Sequence, residues 1–226
     1  YFDWVCFGSA DQTRGLLNIG GIGNLTVIPR GSEPDDVTAF DTGPGNMVVD
    51  ALARHFFDAP FDSEGALASR GTVDNDRLAS ILGQEYFTRR PPKSTGREAF
   101  GEAFAREAGF FDMPPHDALA TATALTAFSV YQAYARFVRD QSPLDALIVS
   151  GGGVHNRTMM EQLSRSFAPI PVMTADEFCV DSDAKEALCF AILAHETVNG
   201  RPTNLPSVTG ASRPTILGKI CVVMRE

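Results

Sequence analysis

An α/β domain, with a mixed sheet flanked by helices, is the fold class that this sequence predicts. Two observations carry it. Short runs with strand character alternate along the chain with segments whose apolar residues recur every three to four positions. Three glycine corners, "IGGIGN", "TGPGN" and "SGGGVHN", each follow a strand-like run, and the last two open helical segments. With 226 residues, 44% hydrophobic and 21% charged, the chain is long enough to bury a substantial core.

Taken in order, Leu16, Leu17 and Ile19 lead into a Gly20-Gly21 turn, and Leu25, Val27 and Ile28 leave it, bounded by Pro29-Arg30-Gly31. "VTAF" reads as a third strand that ends at Asp41. From Asn46, the spacing of Met47, Val48, Leu52 and Phe56 is helical. A further helix presents Leu78, Ile81 and Leu82. "RRPPKSTGRE" reads as a solvated loop, with anion binding or a lid role as the alternative, and "REAFGEAFAREAGF" as one short helix.

The segment "HDALATATALTAFSVYQAYARFVRD" predicts the longest helix, N-capped by Asp117. Ala146 to Val149 form a buried strand, Ser150 to Gly153 a tight turn, and Asn156 caps a helix carrying Met159, Met160, Leu163 and Phe167. "PIPVMTA" is another strand. "DAKEALCFAILAHETVNG" is a largely apolar helix stopped by Gly200, and "ILGKICVVM" is a final short strand.

The formal net charge of -9 argues against a nucleic-acid or anionic-membrane partner, and no apolar run is long enough to span a bilayer. The four cysteines form no C-x-x-C pair, so neither a disulfide framework nor a metal site is expected, and the chain reads as cytoplasmic.

The glycine corners let a backbone approach a ligand closely, while a following helix offers N–H groups to an anion. They serve equally as ordinary packing turns. Neither the Rossmann nor the Walker glycine pattern is present. Asp41 sits where α/β folds place ligands, at the end of a strand. It either bonds the N–H groups of its own Gly-Pro-Gly turn or acts as a general base in a cleft. "DTG" also spells the aspartic-protease signature, but that chemistry needs two such carboxylates and only one copy occurs. Asp183 and Glu186 have capping-box spacing; the alternative is that Glu186 is a second carboxylate in the cleft.

The strings "LLNIGGIGNLTVIP", "AFDTGPGNMVVDAL", "RPPKSTGREAF", "LIVSGGGVHNRTMMEQL", "KEALCFAILA" and "NLPSVTGA" together resemble the anhydro-N-acetylmuramic acid kinase family, from about Leu16 to Lys219. That family is similar in fold to the sugar kinase, Hsp70 and actin group, built on a ribonuclease H-like domain. The resemblance implies that water opens the 1,6-anhydro ring and that the freed O6 takes the γ-phosphoryl of ATP, with Mg²⁺ as its usual companion. The product is N-acetylmuramic acid 6-phosphate, in cell-wall recycling.

By the same resemblance Asp41 is the catalytic base, and Glu186 and Asn46 bind the sugar. Gly20, Gly21, Asn24, Gly151, Gly152, Gly153 and Asn156 lie against the nucleotide. A homodimer is implied as well. Family members begin with a Gly-Thr-Ser-Leu-Asp-Gly-type phosphate loop that has no counterpart here. Residues 1–203 are therefore expected to be the second lobe, 204–226 a return segment packing on the first, and the isolated chain inactive. A non-catalytic sugar- or nucleotide-binding module of the same fold is the alternative.

Overall fold

A computed structural model of the chain describes residues 1–221. Five strands, β1 (Arg14–Ile19), β2 (Ile22–Ile28), β3 (Thr38–Pro44), β4 (Ala146–Ser150) and β5 (Val172–Thr174), form one sheet in the order β3-β2-β1-β4-β5. The pairs β1–β2 and β2–β3 are antiparallel, whereas β1–β4 and β4–β5 are parallel. The sheet is thus mixed. The Gly20-Gly21 turn makes the first antiparallel pair, and a long helical excursion makes the crossover to β4.

Helices α1 (Phe2–Phe7), α2 (Met47–Phe57), α3 (Asn75–Leu82), α4 (Glu85–Thr88), α5 (Arg97–Phe100), α6 (Glu102–Glu107), α7 (Pro115–Phe137), α8 (Arg157–Phe167), α9 (Lys185–Val198) and α10 (Pro206–Thr209) surround it. Strand alternation decides which face each side chain serves. Leu17, Ile19, Leu147 and Val149 pack with Val130 and Tyr134 of α7 and Met159, Leu163 and Phe167 of α8. Their neighbours Leu16 and Ile148 point the other way, into a cluster with Ile28, Phe2, Phe7, Val180 and Leu205. The N-terminal half of α7 enters a further cluster with α2, α3 and the 87–110 region, including Leu52, Leu78, Phe87, Phe100 and Phe110.

Because α7 serves two clusters, it is buried almost all round from Ala118 to Ala127. Its small Ala and Thr side chains let neighbours approach closely. The recurrence of Leu119, Thr123, Thr126, Val130, Tyr134 and Phe137 every three to four residues predicts the helix but not burial on all its sides.

Four sequence expectations are corrected. β3 does not stop at Asp41 but continues to Pro44, because β2 offers it partners as far as Ile22. Asp117 lies inside the first turn of α7, whose N-cap is Pro114; its carboxylate accepts from the Thr72 N–H at 2.7 Å and ties down the preceding loop. "REAFGEAFAREAGF" is two helices, α5 and α6, divided at Gly101, which takes an extended conformation (φ -80, ψ -160). Residues 216–221 of the expected last strand are not in a strand, and 222–224 lie outside the described residues. Helix α9, largely apolar as its sequence reads, lies on the surface with Leu188, Phe190 and Val198 exposed. Among the described residues no helix is long and apolar enough to cross a membrane.

Candidate active site

Asp41 is set in place by an irregularity in the sheet. Asn24 of β2 is opposite Asp41, and Gly23 is opposite Gly43, so β3 carries one extra residue, Thr42, between them. Such bulges bend a strand and re-aim the side chains beside them. The Thr42 hydroxyl returns to the Gly23 carbonyl at 3.0 Å and holds the bulge closed.

The Asp41 carboxylate does not bond its own Gly-Pro-Gly turn. Its Oδ1 accepts from Asn24 Nδ2 at 2.8 Å, and its Oδ2 accepts from the backbone N–H of Thr95, also at 2.8 Å. An ionised carboxylate has about four acceptor positions. Two protein donors orient it and leave capacity facing a cavity of ≈ 380 Å³, lined by Asn24, Asp41, Lys93, Ser94, Ser207 and Thr209 among others.

The wall opposite β2 is the segment read as a solvated loop. It is not solvated at its centre. Lys93 is 6% exposed and covers the outer edge of β3, where its carbonyl accepts from the Asp41 N–H at 3.1 Å. The Tyr86 hydroxyl donates to the Asp41 carbonyl at 3.0 Å. Burial, and the negative charge of Asp41, push the Tyr86 phenol above its ordinary range, so it stays a donor throughout the physiological window. The sequence does not single out Tyr86, and it reads Lys93 and Thr95 only as parts of a solvated loop, with anion binding or a lid role as the alternative. A "PPKSTG" string carries no signal that its lysine turns inward, since the groups it packs on come from other segments.

Glu186 lies in the first turn of α9 and lines a larger cavity of ≈ 570 Å³ with Asn18, Asn24, Lys185 and Asn204. This cavity shares Asn24, Ala39, Val208 and Thr209 with the one at Asp41, so the two carboxylates border adjoining space. The expected capping box is absent. The N-cap of α9 is Ala184; Asp181, not Asp183, accepts from the N–H groups of residues 183 and 184, and Asp183 pairs with His155 at 3.1 Å. Glu186 is thereby left free of a cap. Lys185 beside it is mostly buried against Asp3 at 2.7 Å and Ser150 at 3.3 Å.

The other predicted residues assemble elsewhere. Asn46, Gly152 and Asn156 line a third cavity, of ≈ 510 Å³, with Asp50, Asp62 and His155. Gly151 adopts φ +80, and a Cβ there would lie 2.7 Å from Asn18 Oδ1, so only glycine fits this corner. Gly153 is close-packed on Ile19. Asn156 caps α8 as expected, its Oδ1 accepting from the Met159 N–H at 2.9 Å. Asn156→Ala is expected to destabilise the chain by about 1 kcal/mol, read as a lower midpoint in urea unfolding.

Gly20 and Gly21, expected against the nucleotide, form the turn that meets the start of α2. Their carbonyls accept from the N–H groups of Gly45, Asn46 and Met47, so three donors of the "TGPGN" corner are used inside the protein. Asn24, expected against the nucleotide, donates to Asp41, and Asn46 Nδ2 donates to the Ile19 carbonyl at 3.2 Å. Asp50, which the sequence did not single out, faces the third cavity, and burial raises its carboxyl to about 6 despite nearby Arg54.

The chain matches the family model described as anhydro-N-acetylmuramic acid kinase over residues 1–223. Among curated proteins, the anhydro-N-acetylmuramic acid kinase of Salinibacter ruber is 59% identical over 226 residues, covering 98% of this chain. That of Caldanaerobacter subterraneus is 42% identical and covers 97%. In each case the match spans 57% of the relative's own length. Among solved structures, xylulose kinase from Rhodospirillum rubrum superposes with a TM-score of 0.51 at 15% identity, covering 84% of this chain and 40% of that one. This last likeness establishes the fold alone, the sugar kinase type of mixed sheet flanked by helices.

Proposed function

Because the chain belongs to the anhydro-N-acetylmuramic acid kinase family, we propose that it forms the base-bearing lobe of an ATP-dependent kinase acting on a 1,6-anhydro amino sugar. The observation that supports this reading is the Asp41 carboxylate, held by two donors with its remaining acceptor capacity turned to a cavity. In the proposed reaction Asp41 takes a proton from water as the water oxygen bonds to C1 of the sugar. The C1–O6 bond breaks, and its electron pair remains on O6. That oxygen then bonds to the γ-phosphorus of ATP, the bond from that phosphorus to the β-phosphate oxygen breaks, and ADP departs. Water is a weak nucleophile, so a positioned base matters most in the first step; phosphoryl transfer needs chiefly alignment and charge neutralisation.

Glu186, bordering the adjoining cavity, is the second carboxylate toward the sugar in this scheme. The cavity lined by Gly152 and Asn156 is the nucleotide side, and Asn46, read from the sequence as a sugar-binding residue, borders this cavity in the fold. Among the described residues no cluster of three or more His, Cys, Asp or Glu could hold a metal ion. Mg²⁺ accompanying ATP would be held chiefly by the nucleotide phosphates and water, where it would neutralise charge on the transferred phosphoryl group.

The test is the position of a label. The polypeptide that carries this chain, given ATP and 1,6-anhydro-N-acetylmuramic acid in ¹⁸O-water, is expected to place one ¹⁸O at the C1 hydroxyl of a 6-phosphorylated product, with one ADP released per label. Release of ADP without labelled sugar phosphate would refute the proposal.

A further inference from the structure

Lysine is rarely buried, because its ammonium gives up hydration that the interior seldom replaces. Lys93 is buried all the same, and its Nζ has a single hydrogen-bond acceptor among the described residues, the Tyr86 carbonyl of α4 at 3.0 Å. The ammonium also sits 4.5 Å from the centre of the Tyr86 ring and 5.7 Å from that of Phe137 on α7. Two arginines, Arg89 beside it and Arg136 of α7, repel it, while Asp41 of β3 attracts it. Burial and the arginines outweigh Asp41 and bring the ammonium down to about 8.

For packing alone, a methionine would fill this position without the cost of a desolvated charge. The charge makes sense through what surrounds it. Asp41 is gripped on its N–H by Lys93, on its carbonyl by Tyr86 and on Oδ2 by Thr95. All three residues lie in the short stretch that the Lys93 side chain ties together. We propose that Lys93 is a positioning residue, whose ammonium clamps Tyr86 and the 93–95 segment into the wall that orients the Asp41 carboxylate. The inference rests on the reading of Asp41 as the base.

The clamp and the stability of the fold respond oppositely to pH. With a folded pKa of about 8, below the ordinary 10.5, the unfolded chain binds more protons between those values. Stability therefore rises with pH across that window, even as the ammonium that makes the clamp is lost. This separates a positioning lysine from a merely structural one.

The experiment is amide hydrogen exchange at Asp41 and Thr95 in this chain, corrected for the intrinsic pH dependence. Lys93→Met at pH 7, and the unaltered chain at pH 9.5, are each expected to lose about tenfold in protection at these two amides. The unfolding midpoint should stay level or rise, and Lys93→Arg should keep most of the protection. In the polypeptide that carries this chain, Lys93→Met should lower kcat more than it raises KM and should remove a limb of the pH–rate profile near pH 8. Unchanged protection at both amides would overturn the inference, as would a uniform loss of protection with a lowered midpoint. Full turnover by Asp41→Asn would instead refute the base while leaving the exchange result standing.

Discussion

Asp41→Asn is expected to cut turnover of the anhydro sugar by about a hundred- to ten-thousandfold, the usual span for removing a general base. Binding of sugar and nucleotide should change little. The substitution is close to isosteric, and the local bonds can adapt. The new amide oxygen can still accept from the Thr95 N–H, and the Asn24 amide can turn over to present its oxygen to the new NH₂ group. What disappears is the capacity to take a proton from water. The measurement pairs ADP release with calorimetric titration of each substrate, on the polypeptide that carries this chain. Turnover within tenfold of the unaltered protein would mean that another group deprotonates the water.

Gly45→Ala is the second large effect, and it acts by closing off space. Gly45 lies where the Gly20-Gly21 turn meets the start of α2. Its N–H donates to the Gly21 carbonyl at 2.8 Å, and its carbonyl accepts from Thr126 Oγ1 at 2.8 Å. An added Cβ would collide with the Gly20 carbonyl oxygen and stand 3.0 and 3.1 Å from the carbonyl carbons of Ile22 and Gly21. All of these are backbone atoms, which cannot swing aside as a side chain can. One methyl group must push the β1–β2 turn away from α2. Overpacking of this kind costs about 1–3 kcal/mol. The same displacement moves Asn46, which faces the third cavity, so nucleotide affinity should fall together with the unfolding midpoint. An alanine variant with native stability and native nucleotide affinity would show that this junction is not rigid.

Much of the fold was legible along the chain because its signals are local. The Gly20-Gly21 turn between two apolar runs, the helix opening at Asn46, the Asn156 cap and the buried Ala146–Val149 strand all depend on residues within a few positions of one another. Three of the failures share the opposite property. Asp117 lost its expected capping role to a contact with Thr72, Asp183 lost its own to His155, and the end of β3 was decided by how far β2 reaches. Each partner is remote in sequence, and periodicity carries no record of it.

By itself the sequence determined the α/β class, the glycine corners and the motif strings of the family, including an aspartate in "DTG" beside a sheet end. It left open whether that aspartate bonds its own turn. Only the folded chain decided this, through a one-residue bulge at Thr42 that brings Asn24 to one carboxylate oxygen and a buried-lysine segment that brings Thr95 to the other. The physical reason is that a carboxylate's direction is set by the donors that reach it, and here those donors come from positions 17 and 54 residues away.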